Sequence, residues 1–219
     1  GYPQHATGDS DKADKITTDN RVLFHRVANT LNYLDIKTVI VSCGTCMDQL
    51  QKYQFDQIFP NARLLDIHEF LLEKDVKIDG VEGVRYMYHD PCHSPMKTHN
   101  PIKVVSQLMD AEVPLSDRCC GESGSFALAR PDIATQVRFR KEEELRKGAA
   151  EVRADGFTGQ VKVLTSCPAC LQGLHRYRDD IDSDADYIVV EMARHILGAN
   201  WLPEYVAAAN NGGIERVLV

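Results

Sequence analysis

The stretch Val163-Leu-Thr-Ser-Cys-Pro-Ala-Cys170 joins a short apolar run to two cysteines spaced as CxxC. Such a run is typical of a buried strand, Val161 to Thr165, and the residues from Ala169 to Arg178 are expected to form a helix. The order is therefore strand, CxxC turn, helix. In an open sheet of parallel strands, ligands bind in the turns that follow the strands.

The same order occurs earlier in the chain. Val39-Ile-Val-Ser-Cys-Gly-Thr-Cys-Met-Asp-Gln-Leu-Gln-Lys-Tyr53 matches Val163-Leu-Thr-Ser-Cys-Pro-Ala-Cys-Leu-Gln-Gly-Leu-His-Arg-Tyr177, and six of the aligned positions are identical. We interpret the two stretches as two copies of one unit. We expect residues 1–80 to form the first repeat and residues 81–219 the second.

The first repeat is expected to be cut off at its N-terminus. Gly1 precedes Cys43 by 42 residues, and Gly121 precedes Cys167 by 46. Gly1 therefore falls near the place of the glycine that follows the Cys-Cys pair of the second repeat. Because the chain also begins without Met, we expect it to be a fragment or processed piece of a longer protein.

Strands that alternate with helices predict an α/β protein of two pseudo-symmetric repeats, each a small parallel sheet flanked by helices. The polar residues 9–20 are expected to open the first helix, with Asp19 or Asn20 as a cap before its apolar part from Arg21. Later strands are expected at Tyr187 to Val190 and at Ile214 to Leu218.

Composition excludes several classes of function. The net charge of −7 disfavours nucleic acid or an anionic membrane surface as the main partner. No apolar run approaches the roughly 20 residues of a transmembrane segment, and the N-terminus does not resemble a signal peptide. Seven cysteines in such a chain indicate metal binding or redox chemistry. We expect a cytoplasmic protein, either free or docked peripherally on a membrane complex.

Five of the cysteines lie in three short runs, His89-Asp-Pro-Cys-His93, Arg118-Cys-Cys-Gly121 and the second CxxC. A CxxC at a helix start suits metal chelation, because backbone N–H groups and the helix dipole stabilise thiolates. For a single CxxC motif, a redox-active dithiol and half of a zinc site remain alternative interpretations. Adjacent cysteines rarely pair with each other and can instead face a cluster of several metals.

The number of thiols favours an iron–sulfur cluster over zinc. A structural zinc ion takes four ligands, and Cys92 adds a fifth thiol to the set. Iron–sulfur clusters are held by thiolates and accommodate the extra one more readily. A four-cysteine zinc site with Cys92 left over remains an alternative.

The pattern Cys92…Cys119-Cys120-Gly121…Cys167-x-x-Cys170 resembles the cysteine-rich CCG domain of the heterodisulfide reductase B subunit. Similar domains occur in the iron–sulfur subunits of glycolate oxidase and anaerobic glycerol-3-phosphate dehydrogenase and in lactate-utilisation proteins. The chain looks closest to the C-terminal part of large bacterial FAD-linked oxidases.

The resemblance implies an iron–sulfur cluster of the 4Fe-4S type, noncubane in the heterodisulfide reductase version. Its implied ligands are Cys92, Cys119, Cys120, Cys167 and Cys170. The spacing of these cysteines differs from that of heterodisulfide reductase, which leaves the cluster type open. In some relatives one copy binds zinc, so Cys43 and Cys46 are either zinc ligands or the remains of an incomplete site.

Four neighbours of these cysteines are candidates for supporting roles. His89 and His93 flank Cys92, where they would hydrogen-bond cluster sulfurs or donate protons, or serve as structural histidines. Arg118 would balance thiolate charge. Gly121 opens a small-residue loop that lets backbone amides approach sulfur. The charged run Arg138 to Lys147 is expected to be a solvated helix face.

The resemblance implies an electron-transfer module, a subunit or fragment of an oxidoreductase rather than a complete enzyme. Electrons would pass from a flavin-dependent dehydrogenase, acting on a 2-hydroxy acid or similar substrate, to quinone or another acceptor. No dinucleotide fingerprint is visible, so FAD belongs to a partner or to a missing part of the chain. The expected partners are that flavin module and other iron–sulfur modules. The alternatives are a thiol–disulfide reductase of the heterodisulfide type and a zinc-stabilised interaction domain.

Overall fold

The computed structural model describes residues 1–122 and 126–212. Strands in this part of the chain form two parallel sheets, one of two strands and one of four. The strands are β1 (Thr38–Val41), β2 (Arg63–Asp66), β3 (Val84–His89), β4 (Leu115–Ser116), β5 (Gln160–Thr165) and β6 (Asp184–Tyr187). Helices flank both sheets, which confirms the expected α/β class.

Helices make up most of the remaining described residues. In chain order they are α1 (Tyr2–Ala6), α2 (Ser10–Thr30), α3 (Gly44–Gln51), α4 (Phe55–Ile58), α5 (Ile67–Glu73), α6 (Pro101–Leu108), α7 (Phe126–Ala129), α8 (Pro131–Val152), α9 (Pro168–Leu174), α10 (Arg178–Ile181), α11 (Ile188–Leu197) and α12 (Trp201–Gly212). A 3₁₀ turn (His175–Tyr177) joins α9 to α10. None of the described helices combines the length and the apolar character needed to cross a membrane.

The four-stranded sheet has the order β4-β3-β5-β6, and every neighbouring pair is parallel. At its carboxyl edge, His89 is in register with Ser116 on one side and with Thr165 on the other. The segments after these three residues carry all five cysteines of the second repeat. Because the strands are parallel, the three cysteine-bearing turns leave the sheet at the same edge.

Apolar side chains cover both faces of this sheet. Tyr88 and Leu164 pack with residues of α6 and α11 on one face. Met87 and Val163 pack with residues of α8 and α9 on the other. Successive strand residues point to opposite faces, so the near-continuous apolar runs of β3 and β5 are buried from both sides. This packing fixes α8 and α9 beside the carboxyl edge.

The two repeats share their order of elements around the CxxC turns. β1, α3, β2 and α5 correspond to β5, α9, β6 and α11, and the equivalent helices α5 and α11 contact each other. A Cβ added to Gly1 would lie 2.8 Å from the Ala13 carbonyl oxygen, and one added to Gly121 would lie 3.1 Å from that of Ala134. Gly1 and Gly121 thus each lie close to the backbone of the long helix that follows, α2 or α8. The division into residues 1–80 and 81–219 stays a prediction.

The first long helix begins within the polar stretch expected to open it, but well before the caps that the sequence suggested. α2 starts at Ser10, and the Asp9 carboxylate accepts a hydrogen bond from the Lys12 N–H at 3.2 Å. The expected caps, Asp19 and Asn20, lie within the helix instead. The eleven residues of α2 before Arg21 carry little apolar periodicity, which is why the cap was placed too late.

The last strand of the four-stranded sheet was placed too late by its sequence. β6 comprises Asp184–Tyr187, and the β-branched residues that follow form the first turn of α11. The Asp186 carboxylate, unusual within a strand, lies 2.6 Å from the Arg194 guanidinium. The strand expected at 214–218 lies outside the described residues.

Candidate metal centre

Three turns bring five cysteines to the carboxyl edge of the four-stranded sheet. The Cys120 sulfur lies 3.3 Å from that of Cys170, and the Cys92 sulfur lies 3.9 Å from that of Cys119. Cys167 shares the CxxC turn with Cys170. None of the five forms a disulfide. Each of the two close contacts joins thiols from different turns, so the fold itself assembles the group.

The group extends from the interior to the surface. Cys120 and Cys170 are 1% and 6% exposed. Cys119 and Cys167 are half-buried, and Cys92 is exposed. One side of the thiol group therefore lies within the protein, and the side that carries Cys92 is open to solvent or a partner.

The thiols strongly perturb one another's ionisation. Hydrogen bonds from Cys120, Cys92 and the Gly121 N–H lower the pKa of Cys119 to about 2. The thiol of Cys170 lowers the pKa of Cys167 to about 6. The donating thiols change in the opposite direction: the contact with Cys119 raises the pKa of Cys120 to about 11. Protons are therefore shared between neighbouring sulfurs, and full ionisation requires cations in the group.

Gly121 allows the Cys119-Cys120 turn to lie close to α8. Its φ is +72°, in the left-handed region, and a Cβ would lie 2.9 Å from the Arg138 Cγ. The Gly121 N–H donates to the Cys119 sulfur at 3.4 Å. A backbone amide thus reaches a sulfur at the position where the sequence indicated one would.

Two charged residues of α8 hold the segment that leads into this turn. The Glu144 carboxylate accepts hydrogen bonds from the N–H groups of Asp117 at 2.9 Å and Arg118 at 3.3 Å. The Lys141 ammonium donates to Glu144 at 2.8 Å and to the Ser116 hydroxyl at 2.6 Å. This network positions the backbone one to two residues before Cys119.

The buried position of Lys141 corrects the expectation of a solvated face for Arg138 to Lys147. Lys141 has no exposed surface, because it lies on the stripe of α8 that also buries Ala134, Leu145 and Ala149. Sequence reasoning missed both Lys141 and Glu144 as supports of the site. The helical spacing between Ala134, Lys141 and Leu145 was the signal that could have found the lysine.

His89 ends β3 beside the thiol group. It is 1% exposed, and its Nδ1 lies 3.2 Å from the Ser116 carbonyl oxygen. A ring nitrogen of His89 and the sulfurs of Cys120 and Cys170 lie within 4.8 Å of one another. Burial, with a contribution from the Lys141 ammonium, lowers the pKa of His89 to about 4. The ring is therefore neutral at pH 7.

The other two polar candidates mainly contact neighbours outside the thiol group. His93 Nδ1 lies 2.6 Å from the Asp48 carboxylate of the first repeat. The Arg118 guanidinium donates to the Arg140 carbonyl oxygen at 2.9 Å. Arg118 also lines a surface cleft of about 420 Å³ together with Cys119 and Arg140. Arg118 thus adds positive charge beside Cys119 without a hydrogen bond to it.

The first CxxC turn lies against the second repeat. A Cβ on Gly44 would overlap the His93 carbonyl oxygen, so the two backbones are in direct contact. The Tyr187 hydroxyl hydrogen-bonds the carbonyl oxygens of Ser42 and Ser166, the residues before the two CxxC motifs. Burial and the thiol of Cys43 raise the pKa of Cys46 to about 11. The other five cysteines all belong to the second repeat.

A family comparison matches the part of the chain that contains this site. Residues 86–175 match the family model described as the CCG cysteine-rich domain. These residues are therefore similar to the cysteine-rich domains of that family. The match confirms the resemblance inferred from the cysteine pattern. Residues 175–219 match a family described as a domain of unknown function, DUF3400.

Curated relatives extend the similarity beyond the CCG domain. The B subunit of the fumarate reductase (CoM/CoB) of Methanothermobacter marburgensis is 29% identical over 181 residues, 78% of this chain and 32% of the relative. An uncharacterized iron-sulfur protein of Methanocaldococcus jannaschii is 26% identical over 196 residues, 85% of this chain and 36% of the relative. The glycolate oxidase iron-sulfur subunit of Escherichia coli is 32% identical over 94 residues, 40% of this chain and 23% of the relative.

The chain spans about a third of the length of the first two relatives and about a quarter of the third. No solved structure matches it.

Proposed function

We propose that the CCG domain holds an iron–sulfur cluster and that the protein is an electron-transfer module of an oxidoreductase. The convergence of five cysteines from three turns, with sulfur separations of 3.3 and 3.9 Å, carries this proposal. Relatives described as iron–sulfur proteins support it. The proposed ligands are Cys92, Cys119, Cys120, Cys167 and Cys170, and the proposed cluster is of the 4Fe-4S type.

The chemistry of the donor set fits such a cluster. Thiolates select iron–sulfur clusters, zinc and copper(I) over hard cations. In the metal-free protein, thiol protons hold together close sulfur pairs that would repel each other as thiolates. Metal binding displaces such protons, and the metal then takes over this role. A structural zinc ion uses four ligands. The fifth thiol therefore favours a cluster over a single zinc ion.

The chain supplies burial and amide groups around the sulfurs. Cys120 and Cys170 are buried, and backbone N–H groups contact Cys119 and Cys167. Burial disfavours negative charge, whereas N–H···S contacts favour it, and together they set a cluster's reduction potential. When bound, an iron–sulfur cluster accepts and releases single electrons. The exposed Cys92 places one side of the site where a partner can approach.

The proposed electron donor is a flavin-dependent dehydrogenase of a 2-hydroxy acid or similar substrate, and the proposed acceptor is quinone or another carrier. Glycolate is itself a 2-hydroxy acid, and the matched relative is named as one subunit of its oxidase. FAD would belong to a partner or to another part of a longer chain. Substrate dehydrogenation would then occur outside the described residues.

Metal analysis of protein purified and reconstituted under anaerobic conditions tests this proposal. We expect iron and acid-labile sulfide in stoichiometric amounts, and an EPR signal from one oxidation state. Stoichiometric zinc without iron or sulfide would contradict electron transfer and favour a zinc-stabilised interaction domain.

A thiol–disulfide reductase is the second candidate, and the cleft beside Cys119 favours it. Arg118 and Arg140 line this cleft next to a half-buried thiol. Glu143 also lines the cleft and lies 3.7 Å from Arg118, so the two guanidinium groups leave a net positive charge that would attract an anionic disulfide. Reduction would consume two electrons and two protons per disulfide and release two thiols, with the electrons supplied by the partner. An anaerobic assay with a carboxylate-bearing disulfide tests it: an Arg140→Gln variant should lower kcat/KM, and Arg153→Gln, distant from the cleft, should not.

Metal binding by the first CxxC motif stays a prediction. Cys43 and Cys46 provide two thiols, and a structural zinc ion needs two further ligands. We propose that these cysteines form the incomplete counterpart of the second site. Zinc analysis of the protein and of a Cys43→Ser variant distinguishes a working zinc site from an incomplete one.

A further inference from the structure

The hydrogen bond of His89 fixes the position of its ring proton. Nδ1 faces the Ser116 carbonyl oxygen at 3.2 Å. A carbonyl oxygen only accepts hydrogen bonds, so Nδ1 carries the proton and donates it. The neutral ring then has its lone pair on Nε2, the nitrogen that metals commonly bind.

The Lys141 ammonium favours this neutral form. It donates to the same Ser116 carbonyl oxygen at 3.2 Å, and it has no exposed surface. A second positive charge on the imidazole would lie beside this buried cation. Lys141 and Ser116 together therefore orient the ring of His89, as carbonyl partners do for histidines that bind metals.

The Nε2 atom of His89 is buried and has no hydrogen-bond partner among the described residues. A buried nitrogen lone pair without a partner is costly, and such a group calls for an explanation. The sulfurs of Cys120 and Cys170 and a ring nitrogen of this histidine all lie within 4.8 Å of one another. Bonds of about 2.0–2.3 Å to nitrogen and sulfur would let one metal ion reach all three donors.

We propose that His89 Nε2 is a direct ligand of the metal centre, beside Cys120 and Cys170. The inference rests on the proposed function for the presence of a metal and goes beyond it in the identity of the ligands. The cysteine pattern alone indicated five thiolate ligands, and His89 was expected only to support them. A neutral nitrogen donor reduces the negative charge of the ligand set, which raises the reduction potential of an iron–sulfur centre.

A centre with His89 as a ligand also leaves one thiol of the five free for another role. Cys92 is the most accessible of them. His89, three residues earlier at the end of β3, would then hold the buried side of the centre while Cys92 stays at the surface.

Pulsed EPR on the anaerobic holoprotein tests the proposal. The protein is prepared with ¹⁵N-labelled histidine and with natural-abundance histidine, and its paramagnetic state is compared. We expect a strongly coupled ¹⁵N nucleus that disappears in His89→Gln and persists in His175→Ala, a variant at an exposed histidine of the 3₁₀ turn. The potential of His89→Gln should shift, whereas that of His175→Ala should not.

If His89→Gln does not fold, the nitrogen coupling of the ¹⁵N-labelled wild-type protein alone still tests the proposal. Absence of a strongly coupled nitrogen in that protein would overturn the proposal, as would its persistence in a folded His89→Gln variant. If metal analysis finds zinc alone, the proposed function fails, and zinc-edge X-ray absorption tests the ligand separately. A nitrogen shell at about 2.0–2.1 Å supports His89, and an all-sulfur shell overturns it. Reconstituted protein that holds neither metal overturns both proposals.

Discussion

The Tyr187 hydroxyl donates a hydrogen bond to the Ser166 carbonyl oxygen, 3.1 Å away, and it also contacts the carbonyl oxygen of Ser42. These two serines precede the CxxC motifs of the two repeats. A single buried side chain at the end of β6 therefore links both cysteine turns. It fixes how the first repeat lies against the site of the second.

Removal of this hydroxyl is expected to destabilise the protein. In a Tyr187→Phe variant both carbonyl oxygens lose a partner, and Tyr187 is 8% exposed, so water replaces the bond poorly. We expect a loss of about 1–3 kcal/mol in the free energy of unfolding, measured by chemical denaturation. Tyr33→Phe is the control, because Tyr33 is 76% exposed and should change little. Equal effects of the two variants would contradict the linking role.

Lys141 is expected to stabilise the cysteine turn from within α8. In a Lys141→Met variant, Glu144 and the Ser116 carbonyl oxygen lose a charged donor. We expect a loss of about 2 kcal/mol in the free energy of unfolding and faster metal release from the holoprotein. Lys147→Met on the exposed side of the same helix is the matched control. The prediction is wrong if both variants release metal at the wild-type rate.

Acid is expected to weaken the fold through Glu144. Burial raises its pKa, but hydrogen bonds from Lys141 outweigh this and lower the pKa from 4.5 to about 2. A depressed folded-state pKa gives stability that is present above pH 4.5 and is lost as the pH falls towards 2. Denaturation of the metal-free protein at several pH values should show this loss. Glu144→Gln should show a shallower decline between these values, and Glu143→Gln, at an exposed position, should follow the wild type.

Thiol reactivity in the metal-free protein is expected to follow pKa rather than exposure. The lowered pKa of Cys119 makes it a thiolate at pH 7. The hydrogen bond between the two thiols raises the pKa of the more exposed Cys92. Thiolates are the nucleophilic form of cysteine. Iodoacetamide should therefore label Cys119 before Cys92 at pH 7, as followed by mass spectrometry. Earlier labelling of Cys92 would show that exposure dominates.

Sequence predicted the strand and CxxC order well because the apolar runs end directly at the cysteines. β5 was predicted within one residue of its observed bounds. β6 was misplaced, because Asp184 and Asp186 are unusual in strands and their charges are matched by Arg178 and Arg194 of the helices before and after it. The β-branched residues after Tyr187 suggested a strand but begin α11, where Ile188 packs into the core.

The cysteines of the site were found from sequence because their spacing is distinctive. Lys141 and Glu144 were missed, because the charged run obscured the helical spacing that places Lys141 on the buried stripe with Ala134 and Leu145. The orientation of the His89 ring could not be predicted from the sequence either. It depends on the parallel register that places Ser116 beside it.

The iron content and EPR spectrum of Cys120→Ser, compared with Cys46→Ser, test the central claim most directly. Both proteins would be purified and reconstituted anaerobically beside the wild type. We predict that Cys120→Ser loses its cluster or shows an altered EPR spectrum, because Cys120 lies at the buried centre of the thiol group. Cys46→Ser should keep the wild-type iron, sulfide and spectrum. An unchanged cluster in Cys120→Ser, or a cluster lost only in Cys46→Ser, would contradict the assignment of the cluster to the second repeat.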